Sequence, residues 1–166
     1  MVRLSMEGIV PMGLRDVWRL LWLHLDENTV RAIHPWMLSG RVVGDEGQGS
    51  YADLTFPARH VVEREVRVAR RALQNTWTYR IAPPTMFAYE IRGSEGFAST
   101  ITNTYTEVPG GTRIVTEGSL GIGRVPGFLQ RPVVGRLLER ADREDLAYLR
   151  LHGFRTVTET ARPKGT

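Results

Sequence analysis

A long amphipathic helix closes this chain, and nothing before it carries a helical signal of comparable length. Over about Leu129 to Gly153, residues Val133, Val134, Leu137, Leu138, Ala141, Tyr148 and Leu149 recur at three- and four-residue spacing and define one apolar face. Arg136, Glu139, Arg140, Arg143 and Glu144 take the other face. Pro132 suits the first turn, where its missing N–H costs nothing, and Gly153 suits the end. The glycine-rich approach, Gly118 to Phe128, reads as a hinge between a strand and this helix. A lone helix of this kind after a run of strands needs a sheet on which to bury its apolar face. A sheet that curls around one helix often leaves a cavity between them. The pattern therefore points to handling of a hydrophobic ligand without naming it.

The strands leading up to the helix can be followed in order. Val2 to Val10 alternates apolar and polar residues, as a strand with one buried face does. Pro11 breaks it, and Leu14, Val17, Trp18, Leu21, Trp22 and Leu25 form a helical stripe over Met12 to Leu25, with Trp22 expected in the core. Asp26 to Thr29 caps a second short helix carrying Val30 and Ile33, which His34-Pro35 stops. Strands are expected at Met37–Val43, Tyr51–Phe56, His60–Ala69, Thr76–Ile81, Phe87–Ile91, Phe97–Val108 and Thr112–Ile122. Arg70 to Asn75 fits a turn or a strand equally well. The connections are short, notably Gly93-Ser94-Glu95-Gly96 and Pro109-Gly110-Gly111, which favours antiparallel neighbours. The sum is one α+β domain over residues 1–154, with a polar tail from Arg155 to Thr166.

Composition removes several function classes. With no cysteine among 166 residues, disulfides, thiolate zinc sites and thiol catalysis are excluded, and a cytoplasmic location is expected. No apolar run approaches the roughly 18 residues of a membrane span. The net charge of +4 comes almost wholly from arginine, Lys164 being the one lysine. The arginines are dispersed and often stand beside acids, as in Glu63-Arg64-Glu65, so the pattern describes a solvated surface and no nucleic-acid partner is expected. Gly121-Ile122-Gly123-Arg124-Val125-Pro126 lacks the third glycine and the βαβ setting of a dinucleotide loop. No serine sits in a nucleophile elbow. His24, His34, His60 and His152 show no metal-ligand spacing, so neither metal nor cofactor is expected.

The order of elements and their punctuation resembles the START/Bet v 1-like (SRPBCC) superfamily of polyketide cyclases and lipid-transfer domains. The residues that carry the likeness are Val10-Pro11 followed by Asp16-Val17-Trp18, then Ile33-His34-Pro35-Trp36. Pro109-Gly110-Gly111-Thr112, Leu120-Gly121-Ile122-Gly123 and Leu146-Ala147-Tyr148-Leu149-Arg150 complete it. The likeness runs from about Val2 to Phe154, and Tyr51 to Thr76 departs from it in being longer and more charged. It implies a helix-grip fold, a curved antiparallel sheet wrapped around the terminal helix with an apolar cavity between them. Catalytic domains of Rieske oxygenases share that fold and carry a metal triad, for which the sequence shows no match.

Inward-facing strand positions are expected to line the cavity: Trp77, Tyr79, Phe87, Tyr89, Phe97, Ile101, Tyr105 and Ile114, with Leu138 and Tyr148 from the helix. Asn103 and Arg64 fall among apolar neighbours on strand faces, where an unpaired polar group costs about 1–3 kcal/mol. The leading reading is a binding or carrier protein for a lipid or polyketide-like molecule, whose polar end Tyr79, Asn103 and Tyr105 orient. The first alternative is a cyclase or dehydratase using Tyr105, His34 or Arg64 for proton transfer or carbonyl polarisation. The second is an assembly factor related to carbon monoxide dehydrogenase maturation proteins. Trp36 is placed to guard the cavity mouth or to touch a membrane interface, with nothing else indicating a membrane.

Overall fold

A computed structural model describes residues 2–68, 70–123 and 125–151. The polar tail, His152 and the helix stop at Gly153 lie outside the described residues, as does the side chain of Leu149. In chain order the elements are β1 (Val2–Val10), α1 (Leu14–Leu23), α2 (Glu27–Ile33), β2 (Met37–Glu46), β3 (Gly49–Tyr51) and β4 (Leu54–Phe56). There follow β5 (Arg59–Val68), β6 (Arg71–Ala82), β7 (Met86–Gly93), β8 (Phe97–Val108), β9 (Gly111–Ile122) and α3 (Gly127–Leu151). Seven strands form one curved antiparallel sheet in the order β1-β9-β8-β7-β6-β5-β2. β1 and β2 are thus opposite edges, and the α1–α2 pair carries the chain from one to the other.

Period-two burial makes the concave face. On β6 it brings Leu73, Asn75, Trp77, Tyr79 and Ile81 inward; on β8, Ser99, Ile101, Asn103 and Tyr105. Cross-strand register then sets Trp77 opposite both Val62 and Ile91, and Tyr89 opposite both Tyr79 and Ile101. Under α1, fully buried Trp18 meets Phe56 edge-on at 5.2 Å and Tyr105 at 5.6 Å, and its indole N–H donates to the Pro84 carbonyl at 2.8 Å. Under α2, Val30, Met37, Val66 and Leu73 form a second cluster. The β8–β9 hairpin turns through Gly110 and Gly111 at φ of 92° and 150°, and a Cβ on Gly111 would lie 2.0 Å from the Val10 carbonyl oxygen.

Several details differ from the sequence expectation. The expected strand Tyr51–Phe56 is broken within a small hairpin, β3–β4, because Ala52 and Asp53 both take positive φ, a two-residue turn that Ala52 does not advertise. Arg71–Asn75 is strand, continuous with Thr76–Ala82, since β5 offers it an unbroken ladder from Val68 back to Arg59. Trp22 is 41% exposed and holds the β4 end by donating to the Thr55 carbonyl at 3.1 Å. Helix α3 starts at Gly127, so Pro132 lies past the first turn and cannot donate to the Phe128 carbonyl. Glu144 turns inward, toward His34 and Trp36, instead of joining the solvated face. Among the described residues no helix is long and apolar enough to cross a membrane.

Candidate functional site

Two adjoining cavities occupy the space between the sheet and α3. The first, about 140 Å³, is walled by Val66, Ile91, Phe97, Ile101, Leu120, Leu137 and Leu138, with exposed Arg67 and Arg140 where it opens. The second, about 230 Å³, is more polar and includes Tyr79, Phe87, Asn103, Arg64, His24, His34 and Asp145. Trp36, Trp77, Tyr89 and Ala141 line both. Trp77 and Tyr89 stack at 5.8 Å with their rings 21° apart, forming an aromatic septum contributed by neighbouring strands.

The first cavity carries polar atoms that the sheet and helix leave unpaired. The Asn75 amide, the Ser99 hydroxyl and the Trp77 indole N–H are buried, and none has a hydrogen-bond partner among the described residues. Asn75 is 4% and Ser99 2% exposed. Such orphans cost about 1–3 kcal/mol each unless something in the cavity meets them.

The second cavity is built around a buried cation. Arg64 on β5 is 1% exposed and donates to both oxygens of Glu27 on α2, from Nε at 2.9 Å and from Nη2 at 2.6 Å. Its Nη1 donates to the Tyr79 hydroxyl, and its guanidinium lies 4.7 Å from the Trp77 ring centroid. Gly40 makes room for this arrangement, since a Cβ there would stand 1.8 Å from Glu27 Oε2. Burial alone would make Arg64 easier to deprotonate, but Tyr79 and Glu27 outweigh it and keep the guanidinium firmly charged. Burial raises the Tyr79 phenol above its ordinary value despite the cation beside it.

Opposite Arg64, α3 is fastened by its acids. Glu144 Oε2 accepts from the Trp36 indole N–H at 2.7 Å and pairs with His34 Nδ1 at 2.8 Å. Asp145 Oδ1 sits 3.1 Å from His24 Nε2 and 3.3 Å from His34 Nε2. Burial pulls the His34 imidazole toward neutrality, but Asp145 and Glu144 outweigh it and raise its pKa. Burial likewise opposes the Asp145 charge, yet the two histidines hold its pKa down to about 2.

Of the residues expected at the cavity, Trp77, Tyr79, Phe87, Tyr89, Phe97, Ile101, Asn103 and Leu138 line one or both spaces. Tyr105 and Ile114 instead pack into the core beneath α1, and burial raises the Tyr105 phenol well above its usual range. Tyr148 is half-buried on α3 outside both linings. Sequence reasoning missed Asn75 and Ser99, although each stands two residues from an expected wall position on the same strand face. Asp145 had no signal, because the partners that explain it, His24 and His34, cap the ends of α1 and α2.

A curved antiparallel sheet gripping a terminal helix over such a space defines the START/Bet v 1-like helix-grip class. The chain belongs to the family described as polyketide cyclase / dehydrase and lipid transport, which it matches over residues 1–152. That membership sets the class, hydrophobic-ligand binding or cyclase activity, without choosing between them. No curated protein matches the sequence. Among solved structures it is similar to Ara h 8.0201, with 12% identity, a TM-score of 0.65, and coverage of 89% of this chain and 97% of that one. It is similar to the Zhui aromatase/cyclase from Streptomyces sp. R1128, with 16% identity, a TM-score of 0.60, and 88% and 89% coverage. A START superfamily protein from Mycobacterium smegmatis aligns with 13% identity, a TM-score of 0.59, and 86% and 92% coverage. At these identities the likeness establishes the fold.

Proposed function

We propose that this protein binds a hydrophobic small molecule with a polar end, a lipid or polyketide-like compound, in the space between the sheet and α3. The observation that carries the reading is the first cavity's combination of apolar wall and three orphaned polar groups, Asn75, Ser99 and Trp77. An apolar cavity of about 150 Å³ admits a benzene-sized guest, so the first space alone suits a ring or a short acyl segment. A longer guest continues past Trp77 and Tyr89 into the second space, where accepting from Arg64 leaves the Tyr79 hydroxyl proton to donate. The drive is burial of apolar guest surface, at about 25 cal/mol per Å². The test is displacement of a bound anilinonaphthalene dye by fatty acids and aromatic polyketides, read by fluorescence. Saturable, one-to-one displacement that Ser99→Ala and Asn75→Ala weaken supports the reading. Failure of the folded protein to take up either dye or competitor overturns it.

A second reading, a cyclase or dehydratase, is favoured by one observation: the Glu27–Arg64–Tyr79 chain presents a charged donor and a phenol to the second cavity. Tyr79→Phe separates the two. A carrier loses a few-fold in affinity, whereas an enzyme using that hydroxyl loses about 10²-fold or more in turnover.

A further inference from the structure

His24, at the end of α1, His34, after α2, and Asp145, on α3, are separated by 10 and by 111 residues in sequence, yet their ligand atoms lie within 4.8 Å of one another. The hydrogen bonds at the far side of each ring fix what faces inward. His24 Nδ1 lies 2.9 Å from the Leu20 carbonyl oxygen, which can only accept, so that nitrogen carries the proton. His34 Nδ1 lies 2.8 Å from the Glu144 carboxylate, which also accepts the Trp36 N–H, so it too is the protonated nitrogen. In each neutral imidazole the Nε2 lone pair is therefore bare, and both aim at Asp145 Oδ1. Three acceptors cannot face one another at 3.1 and 3.3 Å without positive charge between them. A proton on each histidine supplies it in one way, and a single divalent cation supplies it in another.

We propose that His24 Nε2, His34 Nε2 and Asp145 bind one divalent transition-metal ion of the zinc or ferrous class, in the wall of the second cavity. Two imidazoles and one carboxylate suit that class of ion, and the absence of cysteine disfavours thiophilic ions. Both contacts to Asp145, at 3.1 and 3.3 Å, fit, since ligands about 2.1 Å from one zinc ion at tetrahedral angles stand about 3.4 Å apart. The outer contacts fit as well. A metal-bound histidine ordinarily donates its other N–H to a carboxylate or a backbone carbonyl, and here one histidine has each. Three protein ligands leave at least one coordination position. Because all three side chains line the second cavity, that position belongs to a water or to a guest oxygen there. The inference does not depend on the hydrophobic-guest reading, because metal occupancy is read without any organic ligand.

The experiment uses untagged full-length protein, stripped with a chelator and titrated at pH 8 with Zn²⁺ against a chromophoric competitor, and with Co²⁺ by absorption. The expected result is one ion per chain with a dissociation constant below about 1 µM. Visible Co²⁺ d–d bands without a thiolate charge-transfer band accompany it, and the melting temperature rises by about 5–10 °C at 100-fold excess over that constant. Asp145→Ala is expected to lose at least 100-fold in affinity. Glu144→Gln, which leaves all three ligands in place, loses about 10- to 100-fold. If Asp145→Ala does not fold, His24→Ala replaces it, with loss of affinity again the expected result. No stoichiometric uptake by the folded wild type overturns the inference, as does unchanged affinity in the ligand variant. A positive metal titration with no dye binding leaves the metal site standing and removes the hydrophobic-guest reading.

Discussion

Replacing Arg64 with methionine tests the second cavity's architecture most severely. The substitution keeps an apolar stem of similar reach but removes a guanidinium that is 1% exposed, that holds both oxygens of Glu27, and that stands over Trp77. What remains is a Glu27 carboxylate, 11% exposed, with its buried partner gone. Breaking one side of such a pair costs about 3–5 kcal/mol, chiefly through the stranded charge. Loss of the guanidinium over the indole contributes up to about 2 kcal/mol of that. For a chain of this length each kcal/mol moves the melting temperature by about 2–4 °C, so Arg64→Met is expected to melt roughly 6–20 °C lower at pH 7. The companion variant Arg64→Met/Glu27→Leu removes the stranded charge and is expected to recover most of the loss. Thermal and urea denaturation of the three proteins, followed by circular dichroism, measure the loss and its recovery. A loss below about 1 kcal/mol in the single variant, or a double variant no more stable than the single, refutes the reasoning.

The same geometry makes further predictions. Gly40→Ala places a methyl group where Glu27 Oε2 now lies, at 1.8 Å, so it should cost about 2 kcal/mol or more by displacing the carboxylate from Arg64; a neutral result in the same denaturation assay counts against the pair. Trp36→Phe removes the 2.7 Å donor to Glu144 and is expected to cost about 1.5–3 kcal/mol, with faster amide exchange in α3 as the readout. In chelator-treated protein, the fastening of α3 depends on pH at both ends. Asp145, ordinarily at 3.8 and held at about 2, contributes fully above pH 3.8 and is lost as pH falls toward 2, which at about 1.4 kcal/mol per pH unit is roughly 2 kcal/mol. His34, raised above 6.5, contributes fully below pH 6.5 and is lost as pH climbs through its folded value. Melting temperature should therefore peak between about pH 4 and 6.5, and Asp145→Asn should flatten the acid limb.

The terminal helix was legible because its apolar stripe repeats with a single period, and the strands because their alternation has one inward phase. The wall residues Trp77, Tyr89 and Ile101 follow from that phase alone, since cross-strand register brings them together once the sheet is antiparallel. Tyr105 shares the phase but lies further along β8, under α1 and against Trp18, and phase carries no information about position along a strand. Glu144 reads as surface because it stands among charged neighbours, whereas His34 and Trp36, more than a hundred residues away, draw it inward. The Ala52-Asp53 turn stays hidden because alanine at positive φ has no sequence signature, the geometry being held by the β3–β4 pairing around it. Metal-ligand spacing rules cover ligands on one helix or one turn, and so they pass over a set drawn from the C-caps of α1 and α2 and from α3.

Native mass spectrometry of the protein after incubation with a panel of fatty acids and aromatic polyketides tests the central claim most directly. The wild type is expected to retain one hydrophobic guest per chain. Ala141→Phe, which places a ring where the two cavities meet on α3, is expected to lose it while remaining folded. A wild type that keeps no member of the panel, or an Ala141→Phe variant that keeps the same guest equally well, would contradict a binding site between sheet and helix.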